Sequence, residues 1–149
     1  MSPADPAAAD AFDAYETTVR DEWVDYNGHL TDWAYAVVCS AANEELLDAL
    51  GLSAAYRERT GCTTYTVETT LRFLAEVPRG GRLRARSRVV EADAKQLRVR
   101  TALVDGSGQE VLDALSTYVH YDQRAGRVVP FPADRAEILQ RTLDAHAGP

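Results

Sequence analysis

The chain has 149 residues, 46% of them hydrophobic and 26% charged, with a formal net charge of −7. That length suits one domain, which buries roughly 70% of the surface its unfolded state exposes, enough for a real core. The acidic balance argues against a general nucleic-acid binder, and no apolar run approaches the ~18 residues of a membrane span.

Residues 1–13, rich in Ala, Pro and Asp, offer almost nothing to bury and read as a mobile lead-in to a domain over 14–149. The N-terminus shows no basic n-region and no apolar h-region, which predicts a cytoplasmic protein. "YETTVRDEWV" reads as a first strand ending near the Asn27-Gly28 turn signal. From Asp32 to Leu50 the spacing is helical. Ala34, Val37, Val38 and Ala41 form a stripe that Leu46, Leu47 and Leu50 continue, Thr31 or Asp32 stands at the cap, and Gly51 stands at C′.

"LSAAYRERTG" is a short helical connection. Four long strands follow. In "TTYTVETTLRFLAEV" a period of two sets Tyr65, Val67, Leu71, Phe73 and Val77 against Thr64, Thr66, Glu68, Thr70 and Arg72. "RLRARSRVVEAD", "QLRVRTALVD" and "EVLDALSTYVHYD" also alternate, and about Ala133 to Ala145 reads as a terminal amphipathic helix. The order predicts an α+β fold: one long helix wrapped by a curved antiparallel sheet of about five strands, plus a C-terminal helix. Long sheet edges predict a homodimer or a dimer of dimers. Cys39 and Cys62, without a CxxC spacing, read as reduced thiols.

"WVDYNGHLTDW" places Asp25, Asn27 and His29 at alternate positions, which share a side in extended chain. Two readings stand. Asp and Asn beside Asn-Gly stabilise turns through side-chain to backbone hydrogen bonds. Alternatively a carboxylate, an amide and an imidazole converge on a helix N-terminus, whose free N–H groups suit the oxyanion of an attacked carbonyl. His29 is either packed at the helix start or shares proton transfer. Glu68 is either a surface carboxylate near Arg72 or a second acid of the site.

Arg82, Arg84, Arg86 and Arg88 share one parity, and Arg98 and Arg100 another, as a solvated face among acids or as a phosphate-binding stripe. Tyr26, Trp33 and Tyr65 are candidates for an apolar pocket or for the core.

The segments "EWVDYNGHL", "LLDALGL", "TYTVETTLRFLAEV", "DAKQL" and "HYDQRAGRVVPFP" together resemble the hotdog-fold acyl-thioester hydrolases, most closely acyl-CoA thioesterases of the betainyl-CoA type, from Val19 to Pro132. Asp25-x-Asn27-x-His29 is also similar to a pattern in plant acyl-carrier-protein thioesterases. The resemblance implies a hotdog fold and hydrolysis of a small or medium acyl-CoA, with Asp25, Asn27, His29 and Glu68 at the catalytic end. It implies substrate contacts at Tyr26, Trp33, Tyr65, Thr66, Arg86 and Arg88, with no metal and no cofactor beyond the coenzyme A of the substrate. A hydratase or dehydratase of the same fold, and an acyl-CoA-binding protein without catalysis, remain as alternatives.

Overall fold

Leu83, Ala85, Ser87 and Val89 are buried while Arg82 and Arg84, alternating with them, are exposed, so this strand has one face on a core and one toward solvent. The same alternation repeats in the next two strands and sets the whole architecture. In a computed structural model describing residues 4–148, the elements are β1 (Glu16–Thr18), a 3₁₀ turn (Asp21–Trp23), α1 (Asp32–Ala49), α2 (Ala54–Thr60), β2 (Cys62–Phe73), β3 (Arg82–Ala92), β4 (Gln96–Asp105), β5 (Glu110–Asp122), β6 (Arg127–Val128) and α3 (Ala133–His146). The sheet runs β1-β3-β4-β5-β2, antiparallel throughout, with β6 beside β5. β2 is therefore an edge along its full length. No helix among the described residues is long and apolar enough to cross a membrane.

The first strand is shorter than its sequence suggests, because the chain turns at Asp21–Trp23 to bury Trp23. α1 keeps its expected span, but its buried face is Ala34, Tyr35, Val38, Cys39, Ala42, Asn43, Leu46 and Leu47. Val37 and Ala41 lie to one side of it. Two apolar clusters result, one around the first half of α1 and one around its second half with α2 and α3. Thr101 Oγ1 donates to Asn43 Oδ1 at 2.7 Å, and Ser87 and Thr101 hydroxyls lie 3.2 Å apart. Pairing of this kind offsets the cost of burying polar groups. Burial pushes the Cys39 thiol up to about 12, so it is inert there.

Gly51, at φ 71°, takes the left-handed conformation that ends α1. Arg135 Nη1 of α3 donates to the Leu50 carbonyl at 3.1 Å. A Cβ on Gly51 would push that mobile guanidinium aside, so it is the positive φ that favours glycine here.

The expectation that residues 1–13 have nothing to bury is corrected at Ala11 and Phe12, both buried; Met1 to Pro3 lie outside the described residues. Phe12 exchanges two backbone hydrogen bonds of 2.8 Å with Ser87 on β3. His146 completes the attachment: its Nδ1 accepts the Val89 N–H at 2.9 Å, beside a bulge in β3, and its Nε2–H donates to the Pro6 carbonyl at 2.8 Å.

Burial lowers the His146 pKa from 6.5; nearby Arg88 lowers it further, while the bond to Pro6 and nearby Asp10 oppose the shift. The neutral ring belongs to the fold, and unfolding lets it take a proton. Its contribution to stability is therefore complete above about pH 6.5 and is lost as pH falls below that value. Thermal midpoints measured from pH 7.5 to 5 should decline in the wild type, and more shallowly in His146→Gln, which keeps an acceptor and a donor but does not titrate. The carboxylates held low, such as Asp113 and Asp122, titrate below their ordinary 3.8 and so outside this window.

Candidate active site

Asp25 to Gly28 form a tight turn rather than an extended segment. Gly28 N–H donates to the Asp25 carbonyl at 3.0 Å, and Gly28 sits at φ 83°, a conformation favouring glycine. Asp25 N–H donates to the His29 carbonyl at 3.0 Å, and Asp25 Oδ1 accepts the Asn27 N–H at 2.8 Å. The expected alternation of Asp25, Asn27 and His29 on one side is thus replaced by a turn in which the Asp25 carboxylate bends back over Asn27. Beyond that bond to the Asn27 backbone, no side chain of these three residues hydrogen-bonds another of them or Glu68 among the described residues.

The turn is fastened to the connection between β2 and β3. Leu30 N–H donates to Val77 at 2.8 Å, Arg79 N–H to Gly28 at 3.3 Å, and His29 bridges Pro78. His29 Nε2 lies 3.4 Å from Glu76 Oε2.

The chain then enters α1. The N-cap Thr31 makes no side-chain cap hydrogen bond; Asp32, the first helical residue, accepts the Trp33 N–H on Oδ1 at 2.8 Å, while the Asp32 N–H meets no acceptor among the described residues. Beside this terminus lies an open hollow of about 350 Å³, lined by Leu30, Asp32, Tyr35, Phe73, Leu74, Ala75 and Glu76. Tyr35 donates to the Ala75 carbonyl at 2.9 Å and meets Phe73 edge to face, with ring centres 5.2 Å apart. Burial, and the nearby Glu76 charge, raise the Tyr35 phenol above its ordinary value.

The residues anticipated for the site fall into three regions. Asp25, Tyr26, Asn27, His29 and Trp33 gather around the turn and the first turn of α1, with Tyr26 98% and Trp33 53% exposed. Tyr65, Thr66 and Glu68 lie on β2, and Glu68 is five residues before Phe73, roughly 17 Å along a strand. Arg86 and Arg88 lie on the outward face of the sheet, opposite the face that packs on α1.

The expected faces of β2 also change. A bulge at Val67 separates the pairs Thr66↔Tyr118 and Glu68↔Thr117. Directly paired residues project to the same side, so Thr66, Leu71 and Phe73 face inward with Tyr118, Ala114 and Leu112, while Tyr65 and Glu68 face outward. Thr66 lines a groove with Ser40, Glu44, Arg57 and Tyr118. Tyr65 stacks near Tyr121 at 4.9 Å and accepts a hydrogen bond from Gln123 at 2.8 Å.

Glu76 and Tyr35 escaped the sequence reading. Glu76 precedes the Pro78-Arg79-Gly80-Gly81 turn, and only the pairing of that turn with His29 brings it to the hollow.

A curved antiparallel sheet around one long helix, with a polar turn at that helix's N-terminus, is the hotdog architecture of acyl-thioester hydrolases. A Staphylococcus aureus protein solved in complex with CoA superposes with a TM-score of 0.87 at 22% identity, over 93% of this chain and 87% of that one. The sequence profile of the Thioesterase-like superfamily matches residues 19–141, and the chain belongs to that family.

Its relatives include the betainyl-CoA thioesterase of Pseudomonas aeruginosa, 36% identical over 133 residues, covering 89% of this chain and 84% of that protein. The L-carnitine dehydrogenase/betainyl-CoA thioesterase of Agrobacterium fabrum is 40% identical over 130 residues, 87% of this chain, and this chain spans only 26% of its length.

Proposed function

We propose that this protein hydrolyses the thioester of a small acyl-CoA at the N-terminus of α1. The observation carrying this reading is the turn from Asp25 to Gly28, fastened to residues 77–79 beside the hollow at that terminus. One carboxylate oxygen of Asp25 is held by the Asn27 N–H, and the other is left to take a proton from water. The thioester carbonyl lies at the helix end, where the free Asp32 N–H and the dipole stabilise the oxyanion. Water oxygen bonds to the acyl carbon, the C–S bond breaks, and the departing thiolate recovers a proton. His29, paired with Glu76, holds the turn against the β2–β3 connection, and no cofactor beyond the substrate's own coenzyme A is needed.

A small acyl group carrying a quaternary ammonium, as in the names of the relatives, suits this end. Asp32 and Glu76 line the hollow with Tyr35 and Phe73, and carboxylates with aromatic faces attract such a cation.

The site is completed, in this reading, by a second copy. Two β2 edges pairing antiparallel about a two-fold axis lay the start of the partner's strand beside the end of this one, where the hollow lies. That arrangement is the route by which Thr66, on the inward face, joins the turn residues, while Tyr65 and Glu68 stay on the outward face of the joined sheet. The free thiols of Cys39 and Cys62 suit a reducing, cytoplasmic setting.

Thiol release from betainyl-, acetyl-, butyryl- and decanoyl-CoA tests the proposal. The betainyl ester should give the highest kcat/KM, and absence of release above background from every ester would refute hydrolysis.

A further inference from the structure

The sheet has a second edge, the side of β3 turned away from β4, and beyond β1 three acceptors close it one after another. The Ala85 N–H donates to the Tyr15 carbonyl at 3.0 Å, and the Ser87 N–H to the Phe12 carbonyl at 2.8 Å. The next N–H on that side, of Val89, donates to His146 Nδ1 at 2.9 Å. Alternate residues of a strand point their N–H groups the same way, so these three form one row. The N-terminal segment serves the first two, and the last residue of α3 serves the third with a ring nitrogen in place of a carbonyl.

A backbone N–H can only donate, so Nδ1 presents a lone pair and the proton of the neutral ring sits on Nε2. Nε2–H donates to the Pro6 carbonyl at 2.8 Å, and one side chain thereby ties together β3, α3 and the N-terminal segment. Pro6, Ala11 and Phe12 are buried along this edge, and Phe12 packs in the cluster around the second half of α1. A proton on Nδ1 sets a donor against the Val89 N–H. With His146 only 4% exposed, neither group reaches water unless the junction opens.

The charges around the ring do not offset this. Arg88 on β3 and Asp10 on the N-terminal segment act on it in opposite directions and pair with each other at 3.5 Å. Asp5 is held by Arg141 of α3 at 3.8 Å, Glu91 past the β3 bulge by Arg98 at 3.3 Å, and Asp144 of α3 accepts from Gln140 at 2.9 Å. The carbonyl end of α3 favours a cation, but burial is the largest influence on His146 and both ring nitrogens are engaged.

We propose that His146 is an acid-operated latch on residues 5–12, and that a proton on Nδ1 releases the N-terminal segment and uncovers the β3 edge from Ser87 to Val89. The inference is independent of the acyl-CoA reading, and thiol release plays no part in its test. A released ring takes a proton at its ordinary 6.5, whereas the latched ring is held lower and stays neutral. Release therefore gains up to about tenfold per pH unit as pH falls below that value, and gains nothing above it.

Amide exchange followed by NMR, with each rate corrected for the intrinsic effect of pH, tests the latch. In the wild type the protection of Ser87 and Val89 should fall roughly tenfold from pH 7.5 to 5.5. Dilute urea should leave it unchanged, because a local opening exposes little surface, while the β4–β5 amides exchange through an opening that urea promotes. In His146→Gln, which offers an acceptor to Val89 and a donor to Pro6 but does not titrate, the fall should disappear. If His146→Gln does not fold, Asp10→Asn takes its place: that carboxylate opposes the lowering at His146, so its loss should steepen the fall.

Protection of Ser87 and Val89 that ignores pH overturns the proposal. So does a urea dependence there equal to that of the β4–β5 amides, which marks global unfolding in place of a latch. A fall that persists in His146→Gln, or one left unchanged in Asp10→Asn, places the titrating group elsewhere and overturns it as well.

Discussion

Replacing Asp25 by Asn is expected to lower kcat for thioester hydrolysis by about 10²–10⁴-fold, the usual worth of a positioned general base. The substitution is close to isosteric, and the Asn side chain keeps a carbonyl oxygen that can accept the Asn27 N–H now bonded to Asp25 Oδ1. The turn, and with it the thermal midpoint, should therefore change little, so that lost activity reports chemistry rather than unfolding. Thiol release at saturating acyl-CoA gives the kcat, and a melting curve supplies the control. If the variant kept more than about a tenth of the activity, Asp25 would be a turn residue, and the base would have to come from Asp32 or Glu76, the carboxylates lining the hollow. Glu76 is already paired with the His29 ring, whereas Asp32, like Asp25, accepts one backbone N–H on Oδ1, so Asp32→Asn would be the next variant to measure.

What the sequence discloses about this molecule follows the range of the interactions involved. α1 was legible between its Thr31-Asp32 start and Gly51 because caps and period are local. Its buried face was not: Tyr35 and Asn43 do not look like core residues, and Asn43 is buried because Thr101, 58 positions away, donates to it. β3, β4 and β5 could be read almost to the residue, since each has one buried and one solvated face.

β2 failed at Val67, where an unmarked bulge reverses the faces, and the expected grouping of Tyr65 with Leu71 went with it. Phe12 and His146 likewise answer to distant partners, Ser87 and Val89. For the candidate site, the turn and the helix start were adjacent in sequence and so were seen together. Glu76 reaches them through strand pairing, and nothing within one chain brings Thr66 or Glu68 to them.

That last gap makes the β2 edge the place where a second large effect is expected. β2 offers 12 residues whose outer side has no strand neighbour among the described residues, with its Tyr65, Val67 and Phe73 between 42% and 59% exposed. An uncovered edge of that length invites pairing with a like edge, and a two-fold axis uses the same residues from both copies. Val67→Asp is the informative change. In one chain the site is a bulge at 59% exposure, so the cost to folding should stay within about 0.5 kcal/mol, as for other surface substitutions.

In the paired state the same carboxylate is buried without a partner, from both copies at once, at a cost of about 3–5 kcal/mol each. Dimer affinity should then fall by well over 10²-fold. Sedimentation or light scattering should show a dimer for the wild type and a monomer of 16.3 kDa for the variant. Activity should disappear with the dimer, because the start of the partner's strand no longer flanks the hollow at the α1 N-terminus. A monomeric Val67→Asp variant with full activity would instead make each chain's site complete in itself. Thr66 would then be an edge residue with no part in catalysis, and the work of hydrolysis would fall wholly to the turn at Asp25 and the helix it introduces.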